Sequence, residues 1–128
     1  METASKASVT DERPLVGVVG PCGAGKTALV TALRHQGVRV REIAQEHSFV
    51  PSMWQRITDP DLLIYLEVSR QEAERRKGRE LPALYWEQLV GRLAHARAHA
   101  DLLIATDDLT LEDILAQVRS FLEPYGGV

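Results

Sequence analysis

One cysteine, Cys22, stands among the 128 residues, so no internal disulfide can form and the fold must rest on its core. Long hydrophobic runs are missing too: nothing approaches the ~18 consecutive apolar residues of a membrane span. Positive charge is not in excess, since 15 Lys and Arg stand against 18 Asp and Glu for a net charge of −3. That balance gives no basic footprint for nucleic acid, and no tract of Lys or Arg marks a membrane surface, so neither is expected as a partner. The opening METASKASVTDER has no apolar stretch; residues 1–13 are therefore expected to form a flexible polar tail and not a signal peptide. His95 and His99 are spaced to share a helical face, but without a His-Glu-x-x-His arrangement they give no zinc site and are expected to lie exposed near a helix C-terminus. There is no internal repeat or low-complexity segment. The expectation is therefore a cytoplasmic, water-soluble, single-domain protein with its domain over residues 14–124.

What is present is an alternation of strands and helices. Leu15–Val19 is a continuous apolar run suited to a strand buried on both faces. Lys26–Gln36 follows as a helix, with Leu29 and Leu33 on one side and Gly37 as its stop. Val38–Glu42 alternates strictly and predicts a half-exposed edge strand with Val38, Val40 and Glu42 on one face. No sustained period runs from Ala44 to Asp61. Leu62–Val68 predicts a second fully buried strand, and Ser69 an N-cap for a charged helix, RQEAERRKGRE. Leu81–Ala100 carries apolar residues at helical spacing, DLLIAT predicts a third buried strand, and Thr110 caps a final amphipathic helix ended by Pro124. Strands separated by helices imply parallel pairing. The order that keeps the first strand central and VRVRE at the edge is VRVRE, LVGVV, LLIYLEV, DLLIAT. The winding direction then changes at the carboxyl end of the first strand, where an open α/β sheet binds its ligand.

At that end Gly20-Pro21-Cys22-Gly23-Ala24-Gly25-Lys26-Thr27 fits G-x-x-x-x-G-K-[ST] at every constrained place. The glycines let successive amides from Gly20 to Ala28 point inward as an anion nest, and the helix opening at Lys26 adds the positive end of its dipole. The Lys26 ammonium can reach β- and γ-phosphates, and the Thr27 hydroxyl can ligate Mg²⁺. Cys22 sits at a variable position of the nest and carries no assigned catalytic role.

On these residues the chain resembles the P-loop nucleoside triphosphatases. PDLLIYLEVSRQEAERR resembles the segment of nucleoside and nucleotide kinases that leads into an arginine-bearing lid helix. ADLLIATDDLTLEDILAQVRSFL is similar to the last strand and helix of shikimate-type and other small-molecule kinases, and VREIAQEH to a stretch of ribosylnicotinamide-kinase-like proteins. The resemblance implies a three-layer P-loop fold, with a small, mostly parallel sheet of about four strands and helices on both faces. It implies that ATP and Mg²⁺ are bound, the loop residues holding the triphosphate and Thr27 the metal. Glu42, or in second place Glu46, takes the acidic position that helps the metal or acts as base toward an acceptor hydroxyl. Arg75, Arg76 and Arg79 fall where lid arginines stabilise charge on the transferring group. Asp107 to Leu109 fall near the nucleotide base. The acceptor-binding region is reduced to AQEHSFVPSMWQRITD.

Strand order also brings Glu42 beside the loop without reference to any family. Phe49 and Trp54 suit either stacking on a base or acceptor ring, or a small satellite core. The expected activity is transfer of the γ-phosphoryl group from ATP to a small nucleoside- or nucleotide-like acceptor. The alternatives are an ATPase switch and a nucleotide-sensing module without an acceptor. No Asn-Lys-x-Asp pattern supports guanine specificity. A homodimer is compatible with the sequence.

Overall fold

The computed structural model describes residues 12–126. The expected tail over residues 1–13 therefore lies outside the described residues, apart from Glu12 and Arg13. In chain order the elements are β1 (Val16–Val19), α1 (Lys26–His35), β2 (Val40–Glu42), a 3-10 turn (Gln45–His47) and α2 (Met53–Ile57). There follow β3 (Leu62–Glu67), α3 (Arg70–Lys77), α4 (Ala83–His99), β4 (Leu102–Ala105), α5 (Leu111–Leu122) and a last 3-10 turn (Glu123–Tyr125).

The four strands form one all-parallel sheet in the order β2-β1-β3-β4, as the patterning of the strands predicts. Val16 faces Val40 on one side and Leu62 on the other, and Ile64 faces Leu102. Because side chains alternate along a strand, the inner strands β1 and β3 serve two cores. Val16, Val18, Leu62, Ile64, Leu66 and Ile104 pack with Leu29 and Leu33 of α1 and with Ile114, Leu115 and Val118 of α5. Val19, Leu63 and Tyr65 pack instead with Leu89, Leu93 and Ala96 of α4 and with Trp54 of α2. Helices thus cover both faces of the sheet.

Local chemistry sets the element ends. Ser69 caps α3 by accepting from the Glu72 amide (3.1 Å), and Gly78, at φ 68°, stops it after Lys77. Thr110 and Asp113 close a reciprocal capping box at the start of α5. The second strand is shorter than its alternation suggests. Gly37 donates to the Arg34 carbonyl and Val38 to the Leu33 carbonyl (both 3.0 Å), so Val38 completes a Schellman stop on α1 before β2 begins at Val40. A second difference lies at β4, which is buried on one face only: Ile104 is enclosed, while Leu103 is 41% exposed. The core under α4 takes in β1 and β3 without including Leu103. Among the described residues no helix is long and apolar enough to cross a membrane.

Candidate functional site

β1 is central, and the chain leaves it toward β2 on one side before returning past it to β3 on the other. The loop leaving β1 therefore lies at the point where the winding direction changes. Its path is set by glycine. A Cβ on Gly20 would lie 2.4 Å from the Leu66 carbonyl oxygen, so only glycine passes over the end of β3. Gly25, at φ 98°, is the left-handed residue that turns the chain into α1. The Ala24 amide donates to the Pro21 carbonyl (3.2 Å), which tightens the loop. In α1 the Leu29 amide bonds the Gly25 carbonyl (3.1 Å). The amides of Lys26, Thr27 and Ala28 lie in the first turn, where a helix supplies no acceptor of its own.

Two side chains of that first turn meet carboxylates. Lys26 is only 6% exposed; its Nζ donates to the Gly20 carbonyl (2.7 Å), to the Pro21 carbonyl (3.3 Å) and to Glu46 Oε2 (2.8 Å). The Glu46 side chain is 5% exposed. Its second oxygen, Oε1, is buried without a hydrogen-bond partner among the described residues. The Thr27 hydroxyl donates to Glu42 at 2.9 and 3.1 Å from the two carboxylate oxygens. The parallel register of β1 and β2 sets Val18 opposite Glu42, and this carries the carboxylate to the loop.

A third charged group approaches from α3. Ala73 packs against Gly23, and Arg76, one helical turn further on, donates from Nη1 to the Gly23 carbonyl (3.0 Å). Arg76 Nη2 donates to the carbonyl of the fully buried Thr106 (2.6 Å), and Nε to Glu72 (2.9 Å). One guanidinium thus ties the loop to α3 and to the end of β4. Hydrogen bonds from Arg75 and Arg76 pull the Glu72 carboxyl down to about 2.

Three clefts adjoin these groups. The largest, about 390 Å³, is bordered by Cys22, Gly23, Gly25, Lys26, Thr27, Glu42, Glu46 and Arg76. A second, about 320 Å³, runs from Glu42 along the segment between β2 and β3, past Ile43, Met53, Trp54 and Ile57. The third, about 230 Å³, lies on the other side of the loop between Ala24, Ala28, Arg75, Asp107 and Leu109.

Lys26, Thr27 and Glu42, expected together from the sequence, are together. Arg75 and Arg79 do not reach them: Arg75 is 72% exposed and paired with Glu72, and Arg79 is exposed beyond the Gly78 stop. Asp107 and Leu109 border the third cleft. Trp54 belongs to the core under α4 and donates from Nε1 to His95 Nδ1 (3.0 Å), whereas Phe49 is 83% exposed under the Arg92 guanidinium. His95 is half-buried and stacks with the exposed His99 at 4.2 Å between ring centroids. Among the described residues no group of three His, Cys, Asp or Glu side chains could enclose a metal. Sequence reasoning ranked Glu46 second and gave it no tie to Lys26; an irregular segment has no period that would point a side chain. Compared with known proteins, the chain matches no protein-family model and no curated sequence.

Proposed function

We propose that the chain is a P-loop nucleoside triphosphatase with the three-layer fold of that group, and that it acts as an ATP-dependent small-molecule kinase. The observation that carries this reading is the position of Glu42. It accepts from Thr27 at the mouth of the loop cleft and also borders the apolar cleft beside it. A phosphoryl donor in the first and an acceptor in the second would meet at one carboxylate.

The roles follow from the chemistry of each group. The amides of the loop and of the first turn of α1 face the triphosphate, which takes the acceptor place the helix leaves open. Lys26 exchanges Glu46 for phosphate oxygens, a trade of one anionic partner for another. The Thr27 hydroxyl is a hard oxygen donor that fits Mg²⁺, an ion that keeps several waters, and Glu42 would act on the ion through one of those waters and so keep its carboxylate free. When bound, Mg²⁺ neutralises charge developing on the phosphates. Glu42 orients the acceptor hydroxyl and receives its proton. Arg76 holds the Gly23 carbonyl and so fixes the loop on which the phosphates would rest.

The test is one set of measurements on the parent and two variants. Lys26→Ala, made together with Glu46→Gln so that no carboxylate is left buried alone, is expected to abolish binding of ATP with Mg²⁺ in calorimetry without unfolding the chain. Glu42→Gln is expected to keep ATP binding while lowering transfer to an acceptor by roughly 10²-fold, the scale of a positioned base. Undiminished binding in that double variant would overturn the loop assignment. Phosphate release without transfer to any acceptor would favour an ATPase switch, and binding without turnover a sensing module.

A further inference from the structure

The cleft that meets the loop at Glu42 is mainly apolar, with Ser48 and Thr58 as its uncharged hydroxyl-bearing residues. Ile43, Met53, Trp54 and Ile57 supply apolar surface, and no Lys or Arg borders it. The polar groups of Gln45, Ser48 and Trp54 beside it are already engaged. The Gln45 side chain donates to the Val50 carbonyl (2.9 Å) and accepts from the Trp54 amide (2.8 Å), and the indole Nε1 is spent on His95. Arg92, the cation held on α4 nearby, donates to the Glu46 carbonyl (3.3 Å) and lies over Phe49, away from the lining. The charged group left at the cleft is thus Glu42, with the His47 side chain, 61% exposed, at its rim. A phosphate or carboxylate seated here would meet a carboxylate and no fixed counter-charge, which selects against it. At about 320 Å³ the space lies at the low end for ligand pockets, enough for one or two rings.

We infer that the phosphoryl acceptor is an uncharged alcohol with a small apolar body, seated between Ile43, Met53, Trp54 and Ile57 with its hydroxyl at Glu42, and not a nucleotide. This rests on the proposed kinase activity. In the step, the acceptor oxygen forms a bond to the γ-phosphorus as the bond from that phosphorus to the β,γ-bridging oxygen breaks. The bridging oxygen keeps the electron pair and leaves with the nucleoside diphosphate, and the hydroxyl proton passes to the Glu42 carboxylate.

The probes are 2-phenylethanol and cyclohexylmethanol, set against phenyl phosphate, phenylacetate and AMP. Binding is followed by fluorescence of Trp54 in a Trp86→Phe background, transfer by phosphorus NMR with ATP and Mg²⁺, and ATP affinity separately by calorimetry. The alcohols are expected to change Trp54 emission and to bind at least tenfold more tightly than the anions. Ile57 is 76% exposed, so Ile57→Lys leaves the core intact; it is expected to shrink or reverse that preference while ATP affinity stays within twofold. Tighter binding of AMP or phenyl phosphate, a preference unmoved by Ile57→Lys, or no response of Trp54 to millimolar alcohol would each overturn the inference. Failure of ATP to bind would instead strike the kinase reading, and alcohol binding at Trp54 would still be legible alone.

Discussion

Lys26 and Glu46 are both buried, and among the described residues each is the other's full counter-charge at hydrogen-bond distance, with the exposed His47 ring 3.9 Å from Glu46. Desolvating two ions costs several kcal/mol apiece, and a short, well-aligned pair offsets this only while both partners remain. Glu46→Leu strands a buried ammonium on two carbonyls, so a loss on the order of 3–5 kcal/mol is expected in urea titration. Lys26→Met combined with Glu46→Leu should be markedly more stable than Glu46→Leu alone, because no ion is then left buried. Simple addition of the two single losses would show that the residues do not act as a pair. Of these neighbours, Lys26, Thr27 and Glu42 were legible in the sequence. The first two lie in a spaced motif, and the third ends an alternating strand whose place in the sheet follows from its pattern. Glu46 lies four residues beyond, where the chain has left both helical and strand periods. Its direction depends on Gln45 anchoring the turn to Val50 and Trp54.

At the scale of elements, α3 is fastened to the loop and to the end of β4 by Arg76, with Glu72 as the carboxylate on which Arg75 and Arg76 converge. In the folded chain that carboxyl titrates near about 2, against an ordinary value of 4.5. A depressed carboxylate pKa gives stability that is complete above the unfolded value and fades as pH falls toward the folded one. The melting temperature should therefore drop between about pH 5 and pH 2, and Glu72→Gln should lower it at neutral pH while flattening part of that acid limb. An unchanged acid limb in the variant would remove Glu72 from the account. The caps at Ser69 and Thr110 and the stop at Gly78 were readable, since each is one residue type with one local bonding habit. The extent of β2 and the open face of β4 were not. Val38 could continue the alternation or close α1, and hydrogen bonds to Leu33 decide between them. A run such as LLIA reads as buried on both faces, though only the tertiary position of α4 settles how much of Leu103 is covered.

For the whole molecule, strand order followed from two facts a sequence carries: which strand is apolar throughout and which alternates. The same order places the loop between β2 and β3, so its floor is the body of the sheet. This has a kinetic consequence. Backbone and packed side chains hem the loop in, the Leu66 carbonyl beneath Gly20 and Ala73 against Gly23, so its course is fixed by the folded core. A ligand entering it need not wait for a segment of chain to fold over. What must rearrange is the partner of Lys26, a side-chain exchange and not the closure of a chain segment. Rapid mixing with a fluorescent ATP analogue and Mg²⁺ should accordingly give one exponential phase whose rate rises linearly with concentration. A rate that levels off at high concentration would reveal a slow conformational step, and with it a loop less settled than its glycine contacts require.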